Sequence, residues 1–122
     1  MECPTVEHAY QALKFVDPAV QALVIMQPTP GLAKREGRQH ALRSGWEIAK
    51  LQVMRVLLRK KFRISYLQVQ LLATGLVELE ETNYWGDTYW GVCKGEGANH
   101  LGLLLMELRD KPMKISEDLN VE

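Results

Sequence analysis

The sequence is poor in the residues that build disulfide frameworks and metal sites. Among its 122 residues are two cysteines, Cys3 and Cys93, and three histidines, His8, His40 and His100. The cysteines lie far apart and have no companions at zinc-ligand spacing, so we predict a reduced compartment and no structural metal site. No set of residues calls for a redox cofactor either, and we therefore expect a function without cofactors.

Long apolar runs and an excess of one charge are also missing. No apolar run reaches the length of a membrane span, and the opening Met-Glu-Cys-Pro lacks the charged-then-apolar pattern of a signal peptide. Fifteen basic and fifteen acidic side chains balance, so the overall field favours neither nucleic acid nor an anionic membrane. We predict a soluble, cytoplasmic protein with no membrane partner.

Helix caps and apolar spacing predict a mainly helical α+β fold with short strands, organised as one compact domain. With 122 residues, 47% of them hydrophobic, the chain fits one domain with one core. Cap and stop signals predict helices over residues 6–15, 18–26, 31–36, 45–62, 66–74 and 100–109, and the alternation over residues 76–80 predicts a strand. The predicted domain covers residues 1–111, followed by a polar tail over residues 112–122.

One stretch, residues 83–98, combines aromatic residues with glycine, and we call it the aromatic loop. Two Trp, two Tyr and Asp87 lie within seven residues, and the glycines allow tight or left-handed turns. Asn99 follows at an N-cap position, so the free N–H groups of the next helix are expected to face the loop and to suit an anion. Two interpretations stay open: a ligand pocket, or a well-packed corner in which the rings are core.

The first predicted helix places a carboxylate and an ammonium on one face. Glu7, Gln11 and Lys14 are spaced i, i+4 and i+7, so their side chains point into the same space. The alternative interpretation is a solvated, salt-bridged helix surface. Near the end of the third predicted helix, a basic group formed by Lys34, Arg35 and Arg38 suits either the helix dipole or a phosphate.

Several motifs occur in collinear order between Thr5 and Arg109. They are Thr5-Val-Glu-His-Ala-Tyr-Gln-Ala-Leu-Lys-Phe15, Arg43-Ser-Gly-Trp-Glu47 followed by Met54 and Lys61-Phe62, Leu71-Leu-Ala-Thr-Gly75 with Val77-Glu78, Asp87-Thr-Tyr-Trp-Gly91, Gly97-Ala-Asn-His-Leu-Gly102 and Leu105-Met-Glu-Leu-Arg109. Together they resemble the NADAR family, also called the YbiA-like family. The resemblance implies a mainly helical fold and cleavage of N-glycosidic bonds. It implies two substrate classes: ribosylamino-pyrimidine phosphates of riboflavin synthesis, and ADP-ribose attached to guanine in nucleic acid.

The resemblance also implies three catalytic residues. The carboxylate of Glu7 would stabilise an oxocarbenium-like ribose or activate a water. Lys14 would orient Glu7, hold a phosphate, or form a Schiff base with a ring-opened ribose. Asp87 would bind ribose hydroxyls or act as a second acid or base.

Substrate binding is implied for five further residues. Trp46 and Trp90 would stack on a flat heterocycle. Gly97 and Asn99 would bring helix N–H groups to a phosphate, and Gly91 belongs to the same binding set.

Two departures from the family pattern keep other functions open. The usual upstream Phe-Ser-Asn-Phe-like segment has no counterpart before Thr5, and Gly45 stands where an Asp commonly precedes the tryptophan. One alternative is a short form that completes its site as a homodimer. Another is a non-catalytic module that binds ADP-ribose or a nucleotide. The third is a protein-interaction domain with the Trp/Tyr loop as its anchor.

Overall fold

The computed structural model describes residues 2–111, which form six helices and one pair of short strands. The elements are α1 (Val6–Leu13), α2 (Pro18–Ile25), α3 (Pro30–Gly37), α4 (Trp46–Lys61), α5 (Ser65–Ala73), β1 (Thr82–Asn83), β2 (Val92–Cys93) and α6 (His100–Asp110). This confirms the mainly helical α+β fold class. Within these residues, none of the helices has the length and apolar content that a bilayer crossing needs. The predicted polar tail lies outside the described residues.

The described residues fall into two compact units, which meet in sequence at Leu57 and Leu58. The boundary lies inside α4, so the first unit holds α1 to α3 and the start of α4. The second unit holds the rest of α4, α5, both strands and α6. The organisation of residues 1–111 as one domain stays a prediction.

The first three helices begin where the cap signals predict. Thr5, Asp17 and Thr29 are the N-cap residues, and the side chain of each accepts a hydrogen bond from a backbone N–H two or three residues ahead. Pro18 and Pro30 follow the second and third caps at the first helical position, where the missing N–H of proline has no cost. Helices α1 and α2 end one or two residues earlier than predicted.

The core of the first unit is formed where α1, α2 and α3 pack against one another. Its fully buried side chains are Ala12, Phe15, Val24 and Ala33. His8 is 1% exposed and links α1 to the end of α2, because its Nε2–H donates to the carbonyl of Gln27 at 2.8 Å. The other ring nitrogen lies 2.7 Å from the hydroxyl of Thr5. Both nitrogens of His8 are therefore used by the fold.

In the second unit, the predicted strand over residues 76–80 is wrong. The two strands instead pair in parallel, with Thr82 opposite Val92 and Asn83 opposite Cys93. The segment before β1 is held by a side chain: the amide of Asn99 donates to the carbonyl of Leu79 and accepts from the N–H of Glu81, both at 2.9 Å. These bonds take the place of a neighbouring strand.

Helices α5 and α6 contact each other through a bond network at their C-terminal ends. The guanidinium of Arg109 donates to the hydroxyl of Thr74 at 3.0 Å and to the carbonyl of Val77 at 2.6 Å. Gly75 follows Thr74 with φ of +65°, which confirms the predicted glycine stop of α5. The end of α5 is thereby tied to α6.

Candidate functional site

The face of α1 that carries Glu7 is half-buried and hydrogen-bonded. The amide Nε2 of Gln11, one turn along the helix, donates to the Oε2 of Glu7. Gln11 is 2% exposed, so the donor is fixed inside the protein while the carboxylate of Glu7 lies at its edge. This differs from a solvated salt-bridged face, in which both partners would be mobile.

Lys14 lies at the C-terminal end of the same face. Its ammonium is 5.3 Å from the centroid of the Tyr10 ring, within the range of a cation–π interaction. Tyr10 in turn packs on Trp46, with ring centroids 5.2 Å apart and a tilt of 58°. Trp46 is 4% exposed. The predicted stacking residue of the first unit therefore packs on Tyr10 and supports the ring beneath Lys14.

The surroundings of Lys14 disfavour its charged form. Burial lowers the pKa of Lys14 below its ordinary value. The carboxylate of Glu7 opposes this by raising the pKa, whereas Lys34, Lys50 and Arg38 lower it further. The net direction is downward, so a larger share of this amine is neutral and nucleophilic than in an exposed lysine.

The four cations around this face form a group that we call the basic cluster. Its members are Lys14, Lys34, Arg38 and Lys50. Lys50 is half-buried and also pairs with Glu47 on α4. A group of cations at one place attracts an anion, and Arg and Lys are side chains that bind phosphate well. Sequence reasoning identified Lys34 and Arg38 together with Arg35, which is not among these four cations, and it missed Lys50.

Arg43 fixes the C-terminal end of α1 beside the basic cluster. Its backbone N–H donates to the carbonyl of Lys14 at 2.7 Å, and its guanidinium donates to the carbonyl of Phe15 at 2.8 Å. Both carbonyls belong to the helix end, where they lack intrahelical partners. Arg43 thereby binds the segment before α4, and with it Trp46, to the end of α1. In the sequence, Arg43 stood out only as the first residue of the Arg43–Glu47 motif.

In the aromatic loop, the carboxylate of Asp87 shapes the backbone. Its Oδ1 accepts from the N–H of Tyr89 at 3.1 Å and from the N–H of Trp90 at 2.8 Å. Asn83 closes the loop from the other side, because its amide donates to the carbonyl of Asp87 and accepts from the N–H of Asp87. Asn83 is buried. The Asn83–Asp87 pair is a feature that sequence reasoning missed.

The rings of the aromatic loop differ in exposure. Tyr84 and Trp85, between Asn83 and Asp87, are exposed and contact each other at 5.1 Å between centroids. Trp90 is half-buried and meets Tyr89 edge to face at 4.8 Å. The loop therefore offers both an exposed aromatic tip and a partly accessible Trp90, and stacking of Trp90 on a heterocycle stays a prediction.

The start of α6 does not present the free N–H groups that we expected. The N–H groups of Asn99, His100 and Leu101 donate to the carbonyls of Gly91, Tyr89 and Trp90. The expectation that these donors face an anion is wrong, because the aromatic loop folds back and uses them itself. Phosphate binding through Asn99 has no support from its side chain either, since that side chain bonds the segment before β1.

Gly91 and Gly97 allow two backbone segments to pass each other closely. A Cβ on Gly97 would lie 2.1 Å from the carbonyl oxygen of Gly91, and a Cβ on Gly91 would lie 2.1 Å from that of Glu81. Gly97 also has φ of +147°, which side-chain-bearing residues rarely adopt. Packing thus explains both glycines, and their role in substrate binding stays a prediction.

The predicted site residues form two groups, one in each unit. The first unit holds Glu7, Lys14 and Trp46. Glu7 is bonded to Gln11, and Lys14 and Trp46 both contact the ring of Tyr10. The second unit holds Asp87, Trp90, Gly91, Gly97 and Asn99, which are joined by the hydrogen bonds and close backbone approaches of the aromatic loop.

Comparison with known proteins gives consistent matches over most of the chain. The family described as the NADAR domain matches residues 1–112. The N-glycosidase YbiA of Shigella flexneri serotype 5b is 45% identical over 112 residues, which are 88% of this chain and 69% of that protein. A Nostoc punctiforme N-glycosidase is 40% identical over 115 residues, 88% of this chain and 72% of that protein.

Two further matches extend the comparison to structure and to a metabolic setting. The NMR structure of YbiA from Escherichia coli superimposes with a TM-score of 0.80 at 43% identity, covering 89% of this chain and 67% of that one. A riboflavin biosynthesis protein of Vibrio vulnificus is 38% identical over 112 residues, 88% of this chain and 30% of that protein.

Proposed function

The chain belongs to the NADAR domain family, and on that premise we propose that it is an N-glycosidase that hydrolyses the C1′–N bond of a phosphorylated, ribosylated nitrogen heterocycle. Its relatives in Shigella and Nostoc carry the name N-glycosidase. Two substrates share this chemistry: a ribosylamino-pyrimidine phosphate, and ADP-ribose attached to guanine in nucleic acid.

The observation that carries the proposal is the arrangement of Glu7, Gln11 and Lys14 on one face of α1. A carboxylate held by a buried donor, beside an amine with a lowered pKa, is typical of catalytic groups. A surface helix needs neither the buried donor nor the lowered pKa.

In the proposed reaction, water adds to C1′ and the C1′–N bond breaks. The bonding electron pair leaves with the heterocycle nitrogen, which takes up a proton, and the ribose gains a hydroxyl at C1′. Positive charge grows on C1′ in the transition state, and the Glu7 carboxylate stabilises it or removes the proton from the attacking water. In the alternative route, the ribose ring opens to an imine at C1′ that still carries the heterocycle nitrogen, and the neutral amine of Lys14 adds to C1′. The C1′–N bond then breaks, the heterocycle leaves as the free amine with a proton, and water hydrolyses the Schiff base between Lys14 and C1′ to release the ribose as an aldehyde.

The basic cluster supports a phosphorylated substrate. Lys14 lies on the face that carries Glu7, and the other three cations are near enough to lower the pKa of Lys14, in a chain whose total charge is zero. A phosphate bound there would place the attached ribose near the carboxylate, and substrate binding would partly neutralise the repulsion among the cations.

Between the two substrates, the relatives favour the ribosylamino-pyrimidine phosphate. A protein from Vibrio vulnificus and one from Zea mays that share this segment are named for riboflavin biosynthesis. ADP-ribosylated guanine stays the second candidate, because a cluster of several cations also suits a pyrophosphate.

A turnover assay by mass spectrometry tests the proposal with both substrates in parallel. We expect the wild-type chain to release the free heterocycle from at least one of them. Glu7→Gln should lower the rate by about 100-fold or more, the range typical of a lost acid–base or charge-stabilising group. The circular dichroism spectrum should stay unchanged, because the substitution leaves the helical fold intact. Glu78→Gln, at an exposed position, is the matched control and should retain full activity.

Other outcomes would point elsewhere. Full activity of Glu7→Gln would remove Glu7 from the reaction. Calorimetric binding of ADP-ribose without any product would favour the non-catalytic module. Loss of both binding and turnover, with tryptophan fluorescence that does not respond to either ligand, would favour the protein-interaction domain. Sedimentation of the same samples tests the predicted homodimer.

A further inference from the structure

We propose that Gln11 is the positioning residue for Glu7, and that Gly37 of α3 provides the space in which Gln11 is held. This inference rests on the proposed function, because it assigns a role in the same reaction. It adds two residues, one of them on a different helix, that do not contact the reacting atoms themselves.

The first observation is the fixed donor. Gln11 lies one turn after Glu7 on α1, and its Nε2–H donates to the Oε2 of Glu7. The side chain of Gln11 is 2% exposed, so neither solvent nor a surface ion competes for the bond. A carboxylate with one oxygen held this way keeps a single orientation. Its other oxygen is left available to a substrate.

The second observation is the other end of the same amide. The Oε1 of Gln11 is buried and has no hydrogen-bond partner. It lies against Gly37, where a Cβ would come within 2.7 Å of it, and the ring of Phe15 lies beside the same place. With the amide in this position, residue 37 has no room for a side chain.

These two observations indicate that Gln11 positions Glu7 and does not stabilise the fold. A buried amide oxygen without a partner is unfavourable, and an apolar side chain of equal length would fill the same space without that penalty. The feature that an apolar residue lacks is the N–H donor toward Glu7. The structure thus keeps an unfavourable group in its interior and gains a fixed orientation for the carboxylate.

The test compares kcat and KM for the substrate that the wild-type chain turns over. Gln11→Met keeps the length and removes the donor, so we expect kcat to fall about 10- to 100-fold, the rate equivalent of one hydrogen bond to a charged group. KM should change by less than about threefold, because Gln11 does not contact substrate. The melting temperature should equal or exceed that of the wild-type chain, which a purely structural role would not allow.

Two glycines of α3 supply an independent variant and its matched control. Gly37→Ala leaves Gln11 in the sequence but adds a Cβ 2.7 Å from its Oε1. The amide must shift from the position in which it bonds Glu7, so kcat should fall as in Gln11→Met. Gly31→Ala adds the same methyl group to the same helix at a position with nothing within 4 Å, and it should keep the wild-type kcat. If Gln11→Met does not fold, this pair still decides the question.

The outcomes distinguish this inference from the proposed function. A wild-type kcat in both Gln11→Met and Gly37→Ala, with activity lost in Glu7→Gln, overturns the positioning role alone. A rise in KM at constant kcat would make Gln11 a binding residue and also overturns it. If the wild-type chain turns over neither substrate, the proposed function fails and the inference falls with it.

Discussion

At the scale of single residues, Lys14 shows a conflict between stability and chemistry. Burial and three neighbouring cations disfavour its charge, and Glu7 and the Tyr10 ring compensate in part. We expect Lys14→Met to melt at or above the wild-type temperature while turnover falls by about 100-fold or more, since Met keeps the apolar stem and removes the amine. Scanning calorimetry and the turnover assay measure the two effects. Lys60→Met, at an exposed position of α4, should change neither.

The pH dependence of stability gives the same residue a second signature. The pKa of Lys14 in the folded state lies below its ordinary value of 10.5. At a pH between this lowered pKa and 10.5, Lys14 is protonated in more of the unfolded chains than of the folded chains. The contribution of Lys14 to stability therefore rises with pH in that window and is least favourable below the lowered pKa. The melting temperatures of the wild-type chain and Lys14→Met should converge as pH approaches 10.5. A gap that is independent of pH would contradict the lowered pKa.

The sequence contains part of this residue-level information. The i, i+4, i+7 spacing of Glu7, Gln11 and Lys14 follows from the helical period alone, and the structure confirms that the three share one face. The contact of Gln11 with Gly37 joins residues 26 positions apart, on two helices. No local rule predicts such a contact, so the burial and the lowered pKa emerge only from the packing of α1 against α3.

At the scale of elements, the helix starts were predictable because their causes are local. Each cap bond of α1, α2 and α3 spans two or three residues. The strand was placed wrongly because its pairing is not local: β1 pairs with a segment ten residues later, and a side chain from Asn99 binds the residues before it. The start of α6 was misjudged for the same reason, since carbonyls of the aromatic loop occupy its N–H groups.

The aromatic loop allows a sharp test of the role of Asp87. One of its carboxylate oxygens accepts two backbone N–H groups, which an asparagine oxygen can also accept. If loop shape is the role of Asp87, Asp87→Asn should keep activity within about threefold of wild type, and Asp87→Ala should lose about 10-fold or more and lower the melting temperature. A loss of about 100-fold in Asp87→Asn would instead support an acid–base role.

At the scale of the whole molecule, the zero net charge and the local basic cluster have different effects on a charged substrate. Fifteen cations and fifteen anions give no net field at long range, so the chain has little means of steering a charged substrate from a distance. The basic cluster acts at short range, where about 0.1 M salt screens exposed charges beyond roughly 10 Å. Salt should therefore weaken binding of a phosphate at the cluster without changing the chemical step.

We expect KM for the phosphorylated substrate to rise several-fold between about 50 mM and about 500 mM salt, with kcat nearly constant. The dephosphorylated substrate should bind more weakly at low salt and show no such rise. Lys34→Met should raise KM at low salt and flatten the dependence. Arg35→Met removes an exposed cation next to Lys34 that is not a member of the basic cluster, and it should behave as wild type. Equal salt curves for the substrates with and without phosphate would show that the basic cluster does not hold the phosphate.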